Sequence, residues 1–172
     1  VIENLEAKSH GILIWRSLLQ WLGGVGIIVM ALAVLPMLSI GGMQLFKTES
    51  YETPDKVVPK AASFAAGISI VYISLTIIWA FMLWGAGMSI FDSIAHAMTT
   101  LATGGYSTKS ESLAAFNSST IEIIIIFGML VGSLPFVHYL TITKNGIRNL
   151  VKDDQVKLFL TLVFFVVLIM SL

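Results

Sequence analysis

Thr99-Thr-Leu-Ala-Thr-Gly-Gly-Tyr-Ser-Thr108 lies between long apolar runs and is not composed like a simple connecting loop. Ahead of it, residues 89–101 are half polar, with Ile90, Phe91, Ile94, Ala95, Ala97 and Met98 at helical spacing. Ser89 is placed to cap that helix. Asp92 at its third position makes a capping box with Asp in place of Glu. These 13 residues make roughly 20 Å of helix, too short for a hydrocarbon core of about 30 Å. The helix therefore reaches partway in, and its C-terminal end at 99–101 turns partial negative charge toward the bilayer interior, which favours a cation there. Behind the loop come the polar residues 109–119 and a further apolar run. A short helix and a glycine-rich strand, framed by membrane-length helices, are the pattern of a re-entrant loop.

Of 172 residues, 56% are hydrophobic and 12% charged, a balance that suits the bilayer as solvent. Ten basic residues offset ten acidic ones, so no basic face points to nucleic acid. The chain has no cysteine, which excludes disulfides and thiolate metal sites. No Ser-His-Asp or metal-ligand spacing stands out, so the chain reads as a non-enzyme. It also reads as a piece of a longer membrane protein. It opens on Val1 without a signal-peptide pattern, and its last apolar run, 158–172, has 15 residues where a span needs about 20.

Residues 1–46 contain a charge-free window, 17–38, that reads as a spanning inner helix weakened at its end by Pro36. Trp15 and Trp21 suit an interfacial belt. Gly23, Gly24 and Gly26 read as residues that let helices pack closely. Residues 47–60, with Pro54 and Pro59, read as a water-side linker. A second spanning run covers 61–86, the short helix 89–101 and the loop 102–107. A third spanning run, 121–143, carries Gly128, Gly132, Ser133 and Pro135 as kink signals. Residues 144–157 form a second polar linker, and 158–172 open another apolar helix. The two linkers hold seven of the ten Lys and Arg. The positive-inside rule then makes both cytoplasmic, so the protein is multi-pass and the loop dips in from outside. Glu111 and Glu122 fall at the outer lip, placed to raise the local cation concentration.

An ion crossing a membrane must exchange its water for other ligands, and convergent backbone carbonyls supply them. Aiming successive carbonyls at one axis takes backbone angles that glycine reaches without steric penalty. Gly104-Gly105 supply that freedom. Ala102, Thr103, Gly104, Gly105 and Tyr106 are therefore the candidate ion-binding residues, with potassium expected at Thr103, Gly104 and Gly105. Tyr106 is expected to wedge the strand in place. The residues alone leave a second reading open, a water-exposed turn between a surface helix and the next span.

The stretch Ala102-Thr-Gly-Gly-Tyr-Ser-Thr108 resembles the pore loop of the Trk/Ktr/HKT superfamily of potassium transporters. Trp15-Arg-Ser-Leu-Leu-Gln-Trp-Leu-Gly-Gly-Val-Gly-Ile-Ile-Val29 and Ala33-Val-Leu-Pro36 extend the match. The resemblance is strongest to the membrane subunit of bacterial Trk potassium uptake systems and covers essentially the whole chain. It implies an all-α membrane protein built of helix–pore helix–filter loop–helix repeats around a pseudo-fourfold, potassium-channel-like pore, incomplete here. Residues 1–46 would end one repeat, the first in chain order. Residues 61–143 would be the complete next repeat: outer helix 61–86, pore helix 89–101, filter 102–107, inner helix 121–143. Residues 158–172 would begin the one after. The resemblance also implies potassium uptake across the cell (inner) membrane, with no cofactor beyond the transported ion. It implies contact with membrane lipid, a homodimer, and a cytosolic nucleotide-binding regulatory subunit. The linkers 47–60 and 144–157 are candidate contacts for that subunit. In the family, each filter contributes a glycine at the first glycine of the potassium-channel Thr-Val-Gly-Tyr-Gly strand, which falls on Gly105. Gly104 stands for the valine and Ser107 for the last glycine. Fewer inward carbonyls imply looser selectivity, so a sodium or mixed-cation transporter of the same superfamily stays open.

A secondary transporter with a broken helix at Gly104-Gly105 binding a small solute is an alternative. The polar stretch 109–119 argues against the half-helix it requires. A non-transporting scaffold has only the spans in its favour. Arg16 reads as snorkelling to headgroups, or as pairing with Asp92 or Glu122. Asp92 and His96 share a helix face; capping and packing explain them more simply than a metal site or proton relay. His138 faces either the pore or an interface.

Overall fold

Long apolar runs with no water to satisfy their backbone fold as helices, because a helix pairs its internal N–H and C=O groups within the segment. The computed structural model describes residues 4–38, 57–136, 138–140 and 153–170. Among the described residues there are five α-helices described over their whole length, two short 3₁₀ turns and no strand. They are α1 (His10–Leu38), α2 (Val57–Gly85), α3 (Ile90–Leu101), α4 (Ser119–Ser133) and α5 (Asp154–Met170). The 3₁₀ turns are Leu5–Ala7 and Ser112–Phe116. The linker residues 39–56 and 144–152 lie outside the described residues. The chain divides into two units, Val1–Ser133 and Leu134–Leu172.

In the first unit, α1 starts earlier than the apolar window beginning at Ser17, because capping rather than hydropathy sets a helix end. The Ser9 carbonyl accepts from the Ile12 and Leu13 N–H groups at 3.0 and 3.3 Å. Likewise α2 starts at Val57 and takes Pro59 into its first turn, where a missing N–H costs nothing. Within α2, Ala65–Gly85 is long and apolar enough to cross a bilayer.

The short helix α3 packs against α1, α2 and α4. It is polar, yet Asp92, Ser93, His96, Thr99 and Thr100 are all buried along with Ala95, Ala97 and Leu101. Large apolar side chains face outward instead: Ile70, Ile77, Phe81 and Trp84 on α2, Ile123, Ile126 and Phe127 on α4. So extensive an apolar exterior, around a core that holds both apolar and polar side chains, suits lipid rather than water. In lipid an apolar exterior costs nothing, and the helices are joined by close packing and hydrogen bonds. Trp21 accordingly reaches α2 rather than serving only as a belt residue. Its Nε1–H donates to Thr76 Oγ1 at 2.9 Å, its ring stacks on Tyr72 at 5.3 Å, and the Tyr72 hydroxyl donates to the Trp21 carbonyl at 3.2 Å. Trp79 Nε1–H donates to the Ile124 carbonyl at 2.9 Å and ties α2 to α4.

Glycines seat α3 among its neighbours. A Cβ on Gly24 of α1 would lie 3.0 Å from the Tyr72 hydroxyl and 3.2 Å from Ala102 Cβ. On α4, a Cβ at Gly128 would run into the Trp79 indole and Thr100, and one at Gly132 would lie 2.5 Å from the Leu101 carbonyl oxygen. Gly128 and Gly132, read in sequence as kink signals, thus serve as seats for the end of α3. The α4 helix runs unbroken through both and ends at Ser133. Within the stretch 121–143, the interruption falls at Leu134 and Pro135, with helical backbone again at 136 and 138–140. Proline supplies no N–H and clashes with the preceding turn.

In the second unit, Asp153 Oδ1 accepts from the Gln155 and Val156 N–H groups at 2.8 and 3.3 Å and caps α5. Its other oxygen lies 3.2 Å from His138 Nε2, which gives His138 a partner the sequence did not disclose.

Gly132→Ala is expected to lower the thermal unfolding midpoint in detergent, at a cost of about 1–3 kcal/mol, because the added methyl meets backbone. Gly23→Ala, where nothing lies within 4 Å of the new Cβ, is expected to leave it unchanged.

Candidate ion-binding loop

The loop is anchored by the face of α3 that the sequence marked as polar. Ser89 Oγ accepts the Asp92 N–H at 3.1 Å and donates to Asp92 Oδ2 at 2.8 Å, so the expected cap forms. The other Asp92 oxygen reaches past the helix and accepts from Thr108 Oγ1 at 2.6 Å. One turn on, His96 Nδ1 lies 2.8 Å from the Asp92 carbonyl, which can only accept, so Nδ1 donates. With the proton on Nδ1 alone, Nε2 accepts from the Ser107 hydroxyl, 3.0 Å away. Ser107 Oγ in turn accepts the Lys109 N–H at 3.0 Å. About one turn further, Thr99 Oγ1 donates to the Tyr106 carbonyl at 2.9 Å. Asp92, His96 and Thr99 thus hold Thr108, Ser107 and Tyr106 in reverse order, like rungs. Asp92 and His96 meet through a backbone carbonyl, not through the carboxylate. Among the described residues no group of three or more His, Asp or Glu side chains is placed to hold a metal.

The end of α3 runs straight into the loop. The N–H groups of Ala102, Thr103 and Gly104 donate to the carbonyls of Met98, Thr100 and Thr99 at 3.2, 2.9 and 2.9 Å. The last helical carbonyls, expected to face a cation directly, are therefore mostly occupied by the loop's own backbone. What remains is a different set of oxygens. The carbonyls of Ala102, Thr103, Gly104 and Gly105 accept no hydrogen bond from the described residues, and residues 103–106 are exposed.

The backbone angles differ from the expectation that both glycines bend the chain. Positive φ occurs at Thr103 (+52°) and Gly105 (+74°), not at Gly104. A left-handed β-branched residue costs roughly 1–2 kcal/mol, and the Thr103 N–H bond to Thr100 helps hold it there. At Gly104 the missing Cβ leaves room for the Gln20 side chain, which would have to move aside for any larger residue.

Gln20 was not singled out in the sequence. Its Oε1 accepts the Tyr106 N–H at 3.4 Å. One turn before it on α1, Arg16 holds its guanidinium 4.8 Å from the centre of the Tyr106 ring, a cation–π contact, rather than pairing with Asp92 or Glu122. The available signal was Arg16-x-x-x-Gln20, two long polar side chains one turn apart at the start of a mostly apolar helix. Within this chain Tyr106 is 46% exposed and is gripped by α1. Beyond the loop, the Glu6 carboxylate accepts the Ser110 N–H at 2.8 Å and its hydroxyl at 2.5 Å. These bonds, the hydroxyl one foremost, hold the Glu6 carboxyl down to about 2. His10 stacks on Phe91 at 4.2 Å. Glu111 and Glu122 are exposed.

The sequence matches, over residues 1–172, the family described as "TrkH: Cation transport protein". It is 38% identical over 174 residues to the Trk system potassium uptake protein TrkI of Halomonas elongata, covering 100% of this chain and 35% of the relative. It is 37% identical over 172 residues to the Trk system potassium uptake protein TrkH of Escherichia coli, covering 98% of this chain and 36% of the relative. The chain therefore spans about a third of the length of the curated relatives it matches. The fold is similar to the crystal structure of the potassium transporter TrkH from Vibrio parahaemolyticus. The TM-score is 0.76 at 35% identity, over 94% of this chain and 32% of that one.

Gly104→Ala is expected to lower the thermal midpoint of the purified protein, and adding Gln20→Ala to recover part of the loss, a coupling that a double-mutant cycle measures. A second outcome concerns pH. Because the Glu6 carboxyl titrates below its ordinary value of 4.5, its tie to Ser110 contributes fully above that pH and fades as pH falls toward 2. Protection of the Ser110 amide from hydrogen exchange is expected to follow that course, and to be absent in Glu6→Ala.

Proposed function

The chain belongs to the TrkH family of cation transport proteins, and we propose from that premise that residues 102–106 form a potassium-selectivity filter. The observation that carries this reading is the row of four unclaimed carbonyls, Ala102 to Gly105, on a loop whose other polar groups are largely engaged. Backbone oxygens left unpaired at membrane depth are costly unless they line a wet path or meet an ion. A dehydrating cation is the partner such a row suits. The names of the relatives, potassium uptake proteins of Trk systems, favour potassium as that cation. After the loop comes a 3₁₀ turn, Ser112–Phe116, rather than a half-helix aimed at the break, which favours a filter over a broken-helix solute site.

In this reading α1 is the inner helix of one repeat, and α2, α3, the loop and α4 belong to the next. The whole protein takes up potassium across the inner membrane as a multi-pass, lipid-embedded homodimer with a cytosolic nucleotide-binding regulatory subunit. The segments proposed to meet that subunit, 47–60 and 144–157, lie mostly outside the described residues.

Gly105→Ser in the full-length transporter tests the filter. Space is open around the new Cβ, but φ is +74°, so the substitution strains the carbonyl row without a clash. Potassium uptake, or its preference over sodium, is expected to fall by roughly tenfold or more. Unchanged uptake and unchanged preference would refute the assignment.

A further inference from the structure

Within residues 102–106, the Tyr106 carbonyl differs from the other four. It alone accepts a bond from a described residue, the Thr99 hydroxyl. Thr99 is 2% exposed, and its hydroxyl also lies 3.2 Å from the His96 carbonyl of its own helix. The other two rungs, His96 and Asp92, hold side-chain hydroxyls of Ser107 and Thr108. Thr99 is thus the rung that acts on a main-chain oxygen of the loop. Behind that contact lies a cavity of about 120 Å³ lined by His96, Thr99, Gly105, Tyr106, Ile125 and Met129 among others. The Tyr106 peptide is therefore not packed tightly on that side.

We propose that Thr99 is a specificity-positioning residue: by drawing the Tyr106 carbonyl toward α3, it ends the row of ion-coordinating oxygens at Gly105. The proposal rests on the filter reading and deepens it. Potassium discrimination depends on how many carbonyl dipoles surround the ion and how strongly they act. A hydroxyl that takes one carbonyl out of the row therefore lowers the number. Valine has nearly the shape of threonine without the donor. A valine at this position leaves the Tyr106 oxygen facing methyl groups, an unfavourable state that is relieved by turning toward the ion path. Removing a buried hydrogen bond should then extend the row and sharpen selection, a gain that mere structural damage would not produce.

The test is Thr99→Val in the full-length transporter, with potassium and sodium uptake measured at matched membrane abundance. The ratio of potassium to sodium uptake is expected to rise about fivefold, and Thr99→Ser, which keeps the donor, to restore the original ratio. If Thr99→Val does not reach the membrane, Thr99→Ala is read in the same assay with the same expectation. A ratio that stays constant, or falls together with uptake, overturns the proposal. Gly105→Ser run alongside separates the two levels. If it impairs selection while Thr99→Val does not raise it, the role of Thr99 fails and the filter stands. If Gly105→Ser changes nothing, the filter itself fails.

Discussion

Every carbonyl placed at membrane depth must be given a partner, and the structure around α3 is an answer to that demand. The last turn of the helix hands three of its carbonyls to the N–H groups of Ala102, Thr103 and Gly104. The loop that follows is held by Thr99, His96 and Asp92 at successive turns. Once these are assigned, the oxygens from Ala102 to Gly105 are left over. Support is thus divided by residue: side chains and N–H groups do the holding, and the oxygens from Ala102 to Gly105 take no part in it.

The surrounding helices are organised by the same requirement. Lipid gives apolar side chains no reason to turn inward, so cohesion comes from close approach and from polar contacts. Gly24, Gly128 and Gly132 bring α1 and α4 up to the end of α3 and the start of the loop. Trp21 and Trp79 donate across to Thr76 and to the Ile124 carbonyl. Among the described residues no buried side-chain nitrogen or oxygen lacks a partner, which is what permits so polar a helix in the middle of the bundle.

Much of this was legible in the sequence because it depends on local pattern. The shortness of the 89–101 segment, its Ser89 cap and the apolar runs around it are properties of neighbouring residues. What was not legible depends on distant ones. Gly104 and Gly105 look alike in sequence, yet one makes room for the Gln20 side chain and the other takes a positive φ. Thr103 carries a left-handed angle that its β-branched side chain disfavours, so no propensity rule points to it. Arg16 reads from sequence as a partner of headgroups or of Asp92 or Glu122, because its aromatic partner lies 90 residues away. Gly128 and Gly132 suggested a bend because a seat for another helix cannot be inferred without that helix. Pro135, whose effect is local, breaks the helical backbone near its own position.

The grip of α1 on the loop also bears on how the protein is made. Gln20 and Tyr106 are separated by 86 positions, and Glu6 and Ser110 by 104. Synthesis delivers α1 to the bilayer well before the segment it completes has left the ribosome. Arg16 and Gln20 must be inserted without their eventual partners, and the loop matures only when later helices dock beside an earlier one. Biogenesis is therefore a closing step between successive segments, and a chain stalled after α1 would carry half of a contact it cannot yet make.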